Sequence, residues 1–380
     1  MYLVAKSSMQ PPRVIATIRF ILIVLYFTLP HHLISTLQGT SWTAIKPHDI
    51  CALLLLTVIP AKNQLDIVSK SYLLLIIIYL IRACFTSFPF ESFLIPLKLF
   101  EYFIIMLNIK ALAMKYRRMT LWFTLVIIVL TYIAHLIGYQ LGPSWDNRFF
   151  GHYGGPYEIS AILLLLLLFD LSKSRWSFIR KAGIYLPLLW FTYTKAVVVS
   201  LFISRPLILL LFASLSAPIL FLVSDIIEGN RIADLFNDFT TLSVLNLFDI
   251  CRQLPTFDTR DEYFLYFSHR NDYALDDASL STSQRFFSIC LPVANLDLPR
   301  FLFGYGPNYF GTLDNSFLRV FTDIGIVGPI FLFNVMRRVL KTSNKYFILA
   351  VLFTIALSDV FFSARFFVTA YILFLIRSGR

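Results

Sequence analysis

Charge is scarce in this chain. Asp, Glu, Lys and Arg make up 14 % of its 380 residues, against 58 % hydrophobic residues and a mean hydropathy of +0.73. Soluble domains carry about 25 % charged residues, so that class is excluded. The short signatures of several enzyme classes are missing too: there is no P-loop, Rossmann fingerprint, HExxH or nucleophile elbow. His31, His32, His48, His135 and His269 are scattered, without metal-ligand spacing. Cysteine is limited to four residues, none at a spacing that suggests a metal. Cys51 and Cys84 lie in apolar stretches and read as core residues. Cys251 and Cys290 fall in a polar stretch, where an oxidising compartment would permit a bridge; the alternative is two unpaired, buried thiols. No cleavable signal peptide is evident, and the apolar stretch after Arg13 reads as a retained first span.

What the chain has is apolar runs: 14–29 (interrupted only by Arg19), 72–88, 121–141, 159–169, 207–223 and 347–357. In lipid such runs satisfy their backbone only as helices. The fold expected is therefore all-α, a polytopic membrane helical bundle. Spans are expected near 14–30, 49–60, 72–88, 93–113, 120–141, 157–171, 207–223, 313–334, 346–358 and 366–377. Residues 182–203 would cross twice as short or broken helices around Lys195, giving about ten to twelve spans with both termini cytoplasmic. No internal repeat is visible.

Charge is also unevenly spread. Residues 224–300 hold twelve acidic residues and six arginines but no lysine, while the rest of the chain has 27 basic against 10 acidic residues. Basic clusters at Lys115–Arg118, 173–181 and Arg337–Lys345 fall between predicted spans and mark cytoplasmic turns by the positive-inside pattern. The acidic loop then belongs on the exoplasmic side, and the net charge of +11 does not imply nucleic acid. Three regions follow: an N-terminal transmembrane bundle over 1–223, a large exoplasmic loop over 224–306, and C-terminal transmembrane helices over 307–380. Inside the loop, Ile232, Leu235, Phe236, Phe239, Leu242 and Leu245 recur at helical spacing. A second short helix is expected to start near Ser281–Ser283, with Pro292 kinking it.

Several residues could carry chemistry. Arg285, early in that second helix, could grip a phosphate bidentately or pair with Asp276 or Asp277. Arg148 and His152 lie in a glycine- and aromatic-rich turn that suits sugar rings, or that simply forms an interfacial aromatic belt. Lys195 sits at a break between apolar segments, where a charge marks function or snorkels to the interface. Asp314 and Asn315 follow the Gly304 and Gly306 turn. There Asp314 could act as a general base, or the pair could cap a helix. Lys98 with Glu101, and Arg319 with Asp323, are spaced to pair along a helix.

In order, Arg148-Phe149-Phe150-Gly151, Gly154-Gly155-Pro156, Phe191-Thr192-Tyr193-Thr194-Lys195, Arg285, Phe303-Gly304-Tyr305-Gly306, Asp314-Asn315-Ser316-Phe317-Leu318 and Gly325-Ile326-Val327-Gly328 resemble the O-antigen polymerase family and its relative, the O-antigen ligase. The resemblance covers roughly 140–335. It implies a GT-C-like bundle and an inner-membrane glycosyltransferase that joins undecaprenyl-diphosphate-linked oligosaccharide repeat units on the periplasmic side, with no cofactor. By resemblance, Arg285 and Asp314 are catalytic, and Arg148, Lys195, Gly304, Gly306, Asn315 and His152 bind substrate. Membrane lipid and a chain-length regulator protein are the other partners implied. The sequence departs from the family at Thr194-Lys195, where Ser-Arg is usual. Some polymerases space Arg and Gly by ten residues; Arg148 and Arg285 meet Ile159 and Leu296 at the Gly place, while Arg300 meets Gly311. Asp314, where the ligase typically has His, favours the polymerase. A ligase or a transporter of lipid-linked units are the alternatives.

Overall fold

The structure, a computed structural model, describes residues 13–29, 47–60, 65–139, 156–169, 292–310, 315–340 and 363–378, with short pieces at 184–185, 187–189, 192, 262, 290, 351–352 and 354–355. All regular structure among the described residues is helical. The helices are α1 (Arg13–Thr28), α2 (Pro47–Leu56), α3 (Ile67–Cys84), α4 (Pro89–Ala111), α5 (Met114–Leu136), α6 (Pro156–Phe169), α7 (Leu298–Phe303), α8 (Ser316–Ile324), α9 (Val327–Leu340) and α10 (Ala364–Ser378). By length and composition, three are apolar enough to cross a membrane: α3, the Ser92–Ala111 stretch of α4, and α5.

Helix α4 is the hub, packing on α1, α2, α3 and α10. Two-thirds of its apolar stretch (67 %) is buried, against 17 % for α5. The α5 face that remains carries exposed Trp122, Leu130, Ile133 and Leu136, apolar surface suited to lipid rather than water.

Polar side chains inside the bundle have partners and set helix direction. Arg19 Nε donates to Asn108 Oδ1 at 2.9 Å and Nη2 to the Val58 carbonyl at 2.6 Å, while Asn108 Nδ2 donates to the Leu55 and Ile104 carbonyls. The lower half of α1 thus meets the ends of α2 and α4, so α1 runs antiparallel to both. At the same end Arg117 donates to the Ile109 and Lys110 carbonyls and closes the C-terminus of α4. Asp66 caps α3 by accepting from Ser69 N–H at 2.7 Å, accepts from Tyr371 Oη at 2.8 Å and lies 3.6 Å from Lys110 Nζ. Arg338 donates to Ser71 Oγ. Lys110, Lys115, Arg117, Arg118, Arg337 and Arg338 therefore gather at one end of the bundle.

Three expectations change. The stretch near 313–334 is not one helix: α8 and α9 are separated at Gly325, whose φ of 74° no helix interior accommodates. The helix expected near 49–60 is regular only over Pro47–Leu56. Cys84 is exposed rather than part of the core, because it lies on the last turn of α3, whereas Cys51 is buried. Cys290 is disulfide-bonded, and Cys251 lies outside the described residues.

Candidate functional site

At the end of the bundle opposite the basic cluster, residues 292–310 fold over the C-terminus of α3. Asp297 starts α7 by accepting from Arg300 N–H at 2.7 Å, and the Pro299 ring fits the first turn, where no intrahelical N–H is needed. Gly304 ends the helix with φ 75° while its N–H bonds the Arg300 carbonyl at 2.8 Å. A Cβ there would stand 2.7 Å from the backbone of Asp323, Ile324 and Gly325, and a Cβ on Gly325 would stand 2.1 Å from the Leu302 carbonyl oxygen. Two glycine turns therefore press backbone on backbone. They are stitched together by Tyr305 N–H to the Thr322 carbonyl at 2.6 Å and Ile326 N–H to the Phe301 carbonyl at 2.9 Å.

Beyond Gly304 the chain is pinned to α3 and α4. Asp323, buried in α8, accepts from Asn308 N–H at 3.0 Å through one oxygen and from Tyr79 Oη at 3.1 Å through the other. Asn308 takes the left-handed conformation, φ 64°, that this contact requires. Ser92 Oγ donates to the Pro307 carbonyl at 3.0 Å, and the Tyr309 ring packs edge-on against Phe88 at 5.6 Å. Gly306, at φ 118°, lets the turn approach Thr86, where a Cβ would meet Cγ2 at 2.4 Å.

This fold-over borders a half-open cavity of about 360 Å³ lined by Arg82, Asp297, Pro299, Arg300, Phe303, Gly304, Tyr305 and Tyr309. The size suits a small ligand or one part of a larger one. Arg82 Nη2 donates to the Gly304 carbonyl at 2.8 Å, whereas its buried Nε has no hydrogen-bond partner among the described residues. A desolvated N–H of a fixed cation is costly unless an anion completes it. Arg300 is held from three sides: Nη1 donates to the Asn295 carbonyl at 2.8 Å, Nε lies 3.7 Å from Asp297, and the guanidinium sits 5.1 Å over the Tyr305 ring. Burial pushes the Tyr305 phenol above its usual range, so it remains a donor at neutral pH, bonding the Pro292 carbonyl at 2.6 Å. Tyr305 and Tyr309, 5.3 Å apart, add an aromatic wall. Two guanidinium groups beside two phenol rings can hold an anionic group next to a polyhydroxylated one.

Of the sequence-derived candidates, Gly304 lines this cavity, and Gly306 and Asn315 border the segment that builds it. Asn315 caps α8, its Oδ1 accepting from Leu318 N–H at 3.0 Å, as capping chemistry predicts. Arg148, His152, Lys195, Arg285 and Asp314 lie outside the described residues. Sequence reasoning passed over Arg82, which read as one charge near the end of an apolar run, and over Tyr305 and Tyr309. The signal available was an arginine one turn from the end of an apolar helix, where lysine or arginine is expected to snorkel outward rather than bond inward. Comparison of the chain with family models, curated proteins and solved structures returned no match.

Proposed function

We propose that the chain is a multi-pass, GT-C-like membrane glycosyltransferase that polymerises undecaprenyl-diphosphate-linked oligosaccharide repeat units on the periplasmic face of the inner membrane. The observation that carries this reading is the cavity holding Arg82 and Arg300 beside Tyr305 and Tyr309. It is built from the C-terminal end of the acidic loop together with Arg82 and Tyr309, at the end of the bundle away from the basic cluster. The positive-inside pattern favours that end as exoplasmic, and the disulfide at Cys290 favours an oxidising side.

In this reading an acceptor sugar hydroxyl attacks the anomeric carbon of the growing glycan. The C–O bond to the diphosphate breaks, and undecaprenyl diphosphate leaves with the electron pair. Arg82 and Arg300, with Arg285 from the loop, neutralise the charge that builds on the leaving diphosphate. Asp314 takes the proton from the attacking hydroxyl. Arg148, Lys195 and His152 contact the glycan or its phosphates, and the tyrosine rings face the sugar.

Extension of a purified undecaprenyl-diphosphate oligosaccharide by the purified protein is the direct test. Arg285→Ala and Arg82→Ala are each expected to remain in the membrane while turnover falls by about 10²–10³-fold, the usual effect of losing one charge-stabilising donor. In cells, glycan should then stop at single repeats. Normal chain lengths in both variants would remove the diphosphate role. Polymer accumulating on the carrier with none on the lipid acceptor would instead identify a ligase.

A further inference from the structure

At the start of α2 and the middle of α4, sharing no residue with the cavity, a second polar cluster borders the apolar core. Lys98 Nζ bonds the Asp49 carboxylate and lies 3.2 Å from Glu101 Oε2. His48 Nε2 lies 3.5 Å from Asp49 Oδ1, and the Tyr26 ring meets the imidazole edge-on at 5.5 Å, fixing its plane. Glu101 is only 9 % exposed, and its second oxygen, Oε1, is buried without a hydrogen-bond partner among the described residues. The bonded set thus has two carboxylates against one ammonium, with an acceptor left over in low dielectric. Such an arrangement is costly unless a proton or another cation joins it.

One donor atom each from His48, Asp49 and Glu101 lies within 4.8 Å of the others. Donors bound at about 2.0–2.2 Å to one tetrahedral ion stand about 3.4 Å apart, so the widest pair closes by up to about 1.4 Å when the ion binds, a movement supplied by side-chain rotation. We propose that His48, Asp49 and Glu101 form a binding site for a divalent transition-metal ion of the zinc type, for which Lys98 serves as a displaceable counter-cation. One imidazole nitrogen and two carboxylate oxygens are a donor set zinc accepts, with a fourth position left for water. Lys98 is the member able to leave. Its side chain is 38 % exposed, against 18 % for Asp49 and 11 % for Glu101, and it rides on a flexible four-carbon stem. The ion would tie the first turn of α2 to the middle of α4 and give the buried Glu101 oxygen a partner. The site stands apart from the arginine-lined cavity and does not depend on the sugar chemistry.

The test uses the full chain purified in detergent, stripped with chelator, with zinc chloride alone as the probe. Calorimetric titration and the thermal midpoint are read on the same samples. The expected result is one zinc ion per chain and a raised midpoint in the parent protein. Lys98→Met, which removes the competing ammonium, should bind at least tenfold tighter. His48→Gln and Glu101→Gln should each lose the binding. Absence of zinc binding in both the parent and Lys98→Met overturns the site. So does binding that persists unchanged in His48→Gln or Glu101→Gln, since the ion would then be held elsewhere on the surface. The Lys98→Met measurement is a gain of affinity, so it remains decisive if either loss variant fails to fold.

Discussion

Gly304 and Gly325 meet backbone to backbone, and neither has room for a side chain. Substitution by alanine at either position faces two costs: a positive φ, about 1–3 kcal/mol by itself, and a Cβ placed 2.7 Å or 2.1 Å from another backbone. Gly138 makes the control, because it too has positive φ (83°) but meets nothing within 4 Å. Gly325→Ala and Gly304→Ala should therefore lower the thermal midpoint in detergent well beyond the change caused by Gly138→Ala. Equal shifts for all three would mean that conformation, and not close approach, governs these turns. The sequence marked Gly304, Gly306 and Gly325 as notable, because glycine signals a conformational demand wherever it stands. Arg82 was not legible in the same way. Its role rests on a carbonyl 222 positions further along the chain, and residue type alone says nothing of such a partner. The same holds for Glu101, whose spacing revealed Lys98 but not Asp49 or His48, which approach from another helix.

Helix α3 shows what hydropathy locates and what it misses. The apolar run suggests 72–88, whereas the helix occupies Ile67–Cys84, because Asp66 caps a polar first turn of Ser69, Lys70 and Ser71 that hydropathy does not register. Likewise α8 and α9 merge in a hydropathy reading, since one glycine hardly lowers the average of an apolar stretch. Asp66 also makes the start of α3 sensitive to acid. Burial pushes its carboxyl up, but the Ser69 N–H, the Tyr371 hydroxyl and Lys110 outweigh burial and hold it below the usual carboxylate range. The folded state therefore binds this proton less readily than the unfolded chain. The stability it contributes is fully present above about pH 4, the unfolded value, and is lost as pH falls through the lower folded value. Asp66→Ala should cost about 1 kcal/mol at pH 7, the usual loss for a cap, and should lose the part of the acid dependence that Asp66 carries. Thermal midpoints of parent and variant between pH 7 and pH 3 check this; parallel curves would remove Asp66 from the account.

Across the whole molecule, the basic residues at one end and the arginine-lined cavity at the other give the bundle a polarity. Long apolar runs and their charge flanks are written locally, which is why the all-helical class and the polar asymmetry could be read from sequence. The fold-over of 292–310 depends on contacts between distant segments and could not. If the basic end is cytoplasmic, single cysteines introduced in a variant lacking the native four should report it. Glu262→Cys, at an exposed helical position within 224–306, should react with a membrane-impermeant maleimide applied from outside the inner membrane, and Lys115→Cys should react only after permeabilisation. The reverse pattern would invert the topology and overturn the periplasmic reaction proposed above.

The cavity also has a place in time. One wall, Arg82, belongs to the early part of the chain, and the others arrive only with Asp297 to Tyr309, while Asp323, later still, clamps that segment to Tyr79. A ribosome must therefore deliver more than four-fifths of the polypeptide before these walls can meet. Until then Arg82 lacks its carbonyl partner. A nascent chain is in this way kept from engaging a ligand there until Asp323 has been delivered.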